Sequence, residues 1–328
     1  MASGRQHSIL SGMIPAPKPA AATDLRFQVP AWAKRSAFAQ SEAEAAFLCG
    51  AALLALDRVV RADPPWAGVW RQRQALKCAA VAVRMAGRRE AEAELRDAWV
   101  LRRAGDEAGP SGNIYGAWKR LGRPRLDLRD DLLKELAVSL GLPWTEGLDG
   151  LADRVAEARQ QTVSAPHAMA AVLADVAAAG PDYEILGWWI GDLVLRDLCG
   201  WPVALPLAIG QRYSAQFRAE KGAPRPVPGS PDFVRGLCLA LVDGVADALR
   251  LAAELDRRSA HLLAVAPKLR AKGAGEALDL LLGDDAVPGS LTTPRLSRFA
   301  SRRLFDRLLA LGAVRELSGR SNFRVFGL

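Results

Sequence analysis

The chain has 328 residues, half of them hydrophobic and 24% charged, with a formal net charge of +8. That is enough for a large buried core and more than one structural unit, and it excludes a wholly disordered chain. Cys49, Cys78, Cys199 and Cys238 form no C-x-x-C pair, so they are expected as small apolar core residues in a reducing compartment rather than as a disulfide framework.

Residues 1 to about 30 are rich in Ala, Pro and Ser without periodicity, which predicts a disordered leader. They contain no apolar stretch of the length a secretory signal needs. The most apolar later run, from Ile185 to Gly210, carries Asp192, Arg196, Asp197, Pro202 and Pro206. Charges at that depth oppose a membrane span. The expected location is cytoplasmic.

Helical signals then follow one another. Ser41 and Glu44 have capping-box spacing at the start of a helix that Asp63-Pro64-Pro65 ends. Pro65 suits the first turn of a second helix and Gly87 its end. A third is expected over Arg88 to Arg103, with Leu95, Trp99 and Ala91 as its apolar stripe and a salt-bridged solvent face. Further helices are expected at 113–121, 128–141, 147–160, 166–179 and 182–199, so residues 31–221 read as a multi-helix orthogonal body, mainly α.

GAPRPVPGSP, near 222–232, packs four prolines into ten residues and reads as a linker. Beyond it a long helix over 233–272 carries Val234, Leu237, Leu241, Val245, Ala248, Ala252, Leu255, Ser259 and Leu262 at steps of three and four. That seam predicts packing either on the chain's own body or, through 233–262, on a second copy in a homodimer.

The last unit, 274–328, differs in character. Residues 291–328 hold eight arginines against Asp306 and Glu316, so most of the net charge lies here. Ser297 is a good N-cap and Gly312 a good stop for a helix that buries Ser301, Phe305, Leu308 and Leu311. Arg298, Arg302 and Arg303 fall largely on its other side. AVREL and NFRVF, joined by Ser318-Gly319-Arg320-Ser321, then predict a β-hairpin. S-R-x-x-S-R-R-L-F-D-R-L-L-A-L-G-A-V-R-E-L-S-G-R resembles the last helix and wing of bacterial winged-helix regulators. The resemblance implies double-stranded DNA as partner, with Arg298, Arg302 and Arg303 reaching bases or backbone and Arg315, Arg320 and Arg324 placing the wing on phosphate. One departure stands upstream: the preceding helix should occupy 285–294, where the chain reads DAVPGSLTTP, and proline opposes a helix there. The alternative is therefore a degenerate winged helix that docks on a protein.

AAFLCGAALLALDRVV, PPWAGVWRQRQALKCAA, GRREAEAELRDAWVLRRAGDEAGPSG and LFDRLLALGAVRELSGRSNFRVFGL together resemble an uncharacterised bacterial family, domain of unknown function 1403. The similarity runs from about residue 30 onward and implies a helical fold in a bacterial, plasmid-rich setting with no assigned chemistry. The layout of body and basic tail is also similar to related rhizobial-type proteins whose last domain is called DNA-binding.

Other patterns point to packing or surface. WKRLGRPRLDLR, 118–129, is trailed by Asp127, Asp130 and Asp131 and reads as surface charge. Trp188 and Trp189 with Asp192 and Arg196 suit either a core with an ion pair or a ligand pocket. GDEAGPSG lacks the G-K-[ST] ending and the preceding strand of a phosphate loop. His7, His167 and His261 stand apart, no metal-ligand or G-x-S-x-G spacing occurs, and Asp130-Asp131 and Asp284-Asp285 suit helix starts or turns. No enzymatic activity, metal or cofactor is expected.

Overall fold

The computed structural model describes residues 24–35, 39–103, 105–124, 126–218, 225–319 and 322–328. Among these the α-helices are α1 (Glu42–Ala62), α2 (Ala67–Met85), α3 (Glu92–Val100), α4 (Gly109–Leu121), α5 (Asp130–Leu140), α6 (Leu151–Gln161), α7 (Ala165–Ala177), α8 (Glu184–Cys199), α9 (Phe233–Val265), α10 (Ala274–Gly283) and α11 (Arg298–Ala310). Three short strands follow α10: β1 (Val287–Pro288), β2 (Arg315–Glu316) and β3 (Val325–Gly327). The chain is mainly helical, with its described strands confined to the carboxyl end.

The Ser41 side chain accepts from Glu44 N while Glu44 Oε2 accepts from Ser41 N. The box satisfies donors that the first turn of a helix otherwise leaves open. At the other end Asp63 takes a left-handed conformation, φ 38°, before the two prolines. α3 is shorter than expected. Leu95 is buried and Trp99 half-buried, but Ala91 is exposed and lies before the helix. The alternating charges of that segment do not only face solvent, since Arg96 reaches Asp285 at 2.6 Å. Residues 24–30, within the stretch expected as leader, pack on the body: Val29 is buried and the Phe27 ring lies 6.0 Å from that of Trp66.

α9 is the spine. Its seam residues Leu237, Leu241, Val245, Ala248, Ala252, Leu255, Ser259 and Leu262 are all buried, and α9 packs chiefly against α1, with α7 and α2 beside it. The seam is thus covered within one chain, and a dimer through 233–262 would have to use another face of the helix. α7 packs on α8, and α2 lies between α4 and α10. Trp70 and Trp189, both fully buried, donate their indole N–H to the carbonyls of Ala248 and Ala117, at 2.9 Å each. Large rings are accepted into a core when their polar atom is paired.

The carboxyl lobe runs α10, β1, α11, β2, β3. Its sheet has the order β1-β3-β2 and is antiparallel throughout, with Val287 opposite Phe326 and Arg315 opposite Gly327. The two expected β runs therefore pair, and DAVPGSLTTP supplies a third strand instead of a helix. Pro288 is tolerated because β1 is an edge strand. Gly289 follows, where an added Cβ would come within 2.8 Å of the Phe326 ring. A tight turn over Thr293–Leu296 then takes up Pro294.

The lobe is welded to the body. Asp285 is fully buried and takes Arg73 of α2 and Arg96 of α3, each at 2.6 Å. Lys119 Nζ of α4 lies 2.6 Å from Asp284 Oδ1. Arg73 Nη1 also donates to the carbonyl of buried Leu328 at 3.0 Å. These carboxylates are more than turn residues: they neutralise three cations carried by the body.

Candidate nucleic-acid interface

α11 stands on the lobe's outer side. Ser297 Oγ accepts from Ala300 N to start it, Gly312 (φ 66°) ends it, and Ser301, Leu304, Phe305 and Leu308 bury one face. Phe305 stacks on Phe326 with ring centroids 4.8 Å apart, and Ser301 Oγ donates to the Gly289 carbonyl at 3.2 Å. These contacts fix the helix's rotation. The opposite face then presents Arg298, Phe299, Arg302, Arg303, Asp306 and Arg307, all exposed.

Arg298, Arg302, Arg303 and Arg307 have no acidic partner among the described residues. Arg307 in the last turn suits the helix dipole, but part of the set works against the helix that carries it. Arg298 is the first helical residue, where the dipole favours anions. Arg298 with Arg302, and Arg303 with Arg307, are like-charge pairs four residues apart, each destabilising by a few tenths of a kcal/mol. An anion bound here would relieve all three penalties.

Two hollows flank the helix. On one edge Arg298 and Arg302 face Asn322, Phe323 and Arg324 across a cleft of about 400 Å³. On the other, Arg303 and Arg307 meet Lys268 and Arg270 around a wider hollow of about 760 Å³ whose lining includes no acid. Lys268 and Arg270 follow α9 directly, so the spine delivers two cations to the flank of α11. Sequence reasoning missed this pair because it assigned APKLRAK to the end of the long helix.

The expected wing cations behave differently. Arg315 Nη2 lies 2.8 Å from Glu254 Oε1 of α9, which Arg258 also holds at 2.8 Å. Burial alone would raise the Glu254 carboxyl, but Arg258 and Arg315 outweigh it and hold it below the usual glutamate value. Arg324 is shared between Asp306 and Glu316, at 2.8 Å each. Its own pKa is pushed up, first by the hydrogen bond to Asp306. Arg320 lies outside the described residues. The structure thus brings Arg298 and Arg302 to one cleft and Arg303 to the other, and engages Arg315 and Arg324 with carboxylates. The five described ones do not form one free cationic sheet.

The remaining candidates resolve into packing. Trp118 is fully buried and Lys119 nearly so, which corrects the surface-charge reading of 118–129 at those two positions. Trp188 and Trp189 are fully buried, with Trp188 against Phe217 and Phe233. Arg196 turns to Asp197 and the Leu126 carbonyl rather than to Asp192. Asp192 accepts instead from the N–H groups of Leu207 and Ala208, at 3.1 and 3.0 Å, and burial pushes its pKa up to about 7. Ser164 Oγ, His167 Nδ1 and Nε2, and Glu42 Oε1 lie in series at 2.6 and 2.8 Å. Ser164 and His167 belong to the start of α7 and Glu42 to the first turn of α1, so the series ties two helix starts together. Among the described residues no group of three or more His, Cys, Asp or Glu could hold a metal ion, and no helix is long and apolar enough to cross a membrane.

A family model described as protein of unknown function (DUF1403) matches residues 20–328. The chain belongs to that family. No curated protein and no solved structure matches it.

Proposed function

We propose that this member of the DUF1403 family is a non-enzymatic protein that binds double-stranded DNA through the exposed face of α11. The observation that carries the reading is the set of four exposed arginines without acidic partners among the described residues. Guanidinium groups grip phosphate, or pair two-pronged with guanine, and a helix of this width enters a major groove. Lys268 and Arg270 extend the positive surface along one flank, where a phosphate backbone would run. The antiparallel β2–β3 pair after the helix, and its closure by β1, support a winged-helix-like docking geometry. The body then serves as a scaffold that fixes the helix through Asp284, Asp285 and Leu328.

The test is retardation of a duplex by the full-length chain at matched salt. Arg302→Ala with Arg303→Ala should sharply weaken binding at that salt while helicity and thermal unfolding stay as in the parent. Retardation equal to the parent's would remove α11 from the interface.

A second reading, a protein-docking module built on a degenerate winged helix, is favoured by two observations. The segment 285–294 forms a strand and turns, and Arg315 and Arg324 are occupied by carboxylates. It predicts that the full-length chain fails to retard duplex DNA even at low salt.

A further inference from the structure

We propose that the cleft between α11 and residues 322–324 is a pocket for one unpaired nucleotide, with the phosphate on Arg298 and Arg302 and the base against Phe323. This rests on the reading of α11 as a nucleic-acid face, which is what would bring a strand to the cleft.

Phe323 has φ 58° and is 72% exposed. A bulky aromatic in the left-handed region is strained, and strain of this kind persists where the surroundings impose it, often at sites of function. Its exposure leaves it with little packing of its own to justify the strain. It lies on the wall of the 400 Å³ cleft, a volume suited to a small ligand. Along the facing edge of α11, Arg298, Arg302 and Asp306 follow one another a turn apart, so one wall of the cleft carries charge while Phe323 and Phe326 make part of the rest apolar. The two cations without partners stand at the end nearest the helix N-terminus, where the dipole adds to the attraction for phosphate.

At the other end Asp306 is held by Arg324, and the Asn322 side chain lies nearby on the lining. An amide and a carboxylate match the donors and acceptors on a base edge, while Phe323 offers a ring to its face. The cleft thus lines unpartnered cations, an exposed ring and hydrogen-bonding groups together, the three kinds of contact a nucleotide needs. The same chemistry would accept a nucleotide at the end of a strand or a free nucleoside monophosphate.

The experiment compares the full-length chain on a blunt duplex with its binding to the same duplex bearing one unpaired adenosine, with adenosine monophosphate as competitor. The unpaired nucleotide should tighten binding by about fivefold or more, the scale of one base stacked on an aromatic ring. Phe323→Ala should erase that gain and leave blunt-duplex binding unchanged; Phe323→Trp should retain it. If adenosine monophosphate removes the gain, the pocket takes the free nucleotide as well; if it does not, the nucleotide is recognised within a strand. Equal affinity for both duplexes overturns the pocket while leaving duplex binding by α11 intact. Failure to bind either duplex overturns the duplex reading itself.

Discussion

Arg73 of α2 reaches Asp285 at 2.6 Å, and both side chains are withdrawn from water, 11% and 1% exposed. Arg96 takes the second carboxylate oxygen at the same distance. One buried acid thereby joins the carboxyl lobe to two helices of the body.

Removing that acid should be costly. Asp285→Ala leaves two largely buried guanidinium groups without their carboxylate, and breaking such a pair costs about 3–5 kcal/mol. Urea denaturation of the full-length chain should show a loss of that size. Asp285→Asn, which keeps an acceptor, should lose less. A change under 1 kcal/mol for the alanine variant would mean that the lobe is held elsewhere.

Two buried acids should impose opposite pH dependences. Burial would raise Asp285, but Arg73 and Arg96 overcome it and hold its pKa below the ordinary value of 3.8. The stability it contributes is present above that value and is lost as pH falls through its lower folded pKa. Asp192, raised by burial from 3.8 to about 7, binds a proton in the folded state that the unfolded chain has released. Its contribution therefore declines as pH rises from about 4 to about 7 and is flat above. Asp192→Asn should remove that decline, visible when unfolding free energy is measured between pH 4.5 and 8. An unchanged profile would contradict the assignment.

Gly68 offers a steric test of the same junction. A Cβ built there would stand 2.7 Å from the Gly283 Cα, with the Gly283 and Leu282 carbonyls at 3.0 Å. Those neighbours are backbone and cannot rotate aside. Gly68→Ala should destabilise the chain by about 1–3 kcal/mol, the usual cost of overpacking. Gly275→Ala, at a position with nothing within 4 Å of the added carbon, is the matched control. Both are read by thermal unfolding.

The helical body and the rotation of α11 were legible in the sequence because both follow from short-range pattern. The Ser41–Glu44 box, the Ser297 start and the spacing of Ser301, Phe305 and Leu308 involve neighbours within a few turns. The cross-chain pairs were not legible. Asp285 lies 212 residues from Arg73 and Asp284 165 from Lys119, and no local period announces such partners. β1 was missed for a related reason: two residues, one of them proline, carry no strand pattern until β3 lies beside them. The same blindness applied to the wing, where Arg315 is neutralised by Glu254, 61 residues away.

The central claim, that α11 meets phosphate through its unpartnered arginines, is tested most directly by the salt dependence of duplex binding. Counterion release makes log K fall with log salt by about 0.9 per phosphate neutralised. Replacing Arg298, Arg302, Arg303 and Arg307 with Ala in the full-length chain should flatten that slope by about three units or more while unfolding stays cooperative. A variant slope equal to the parent's would contradict the account.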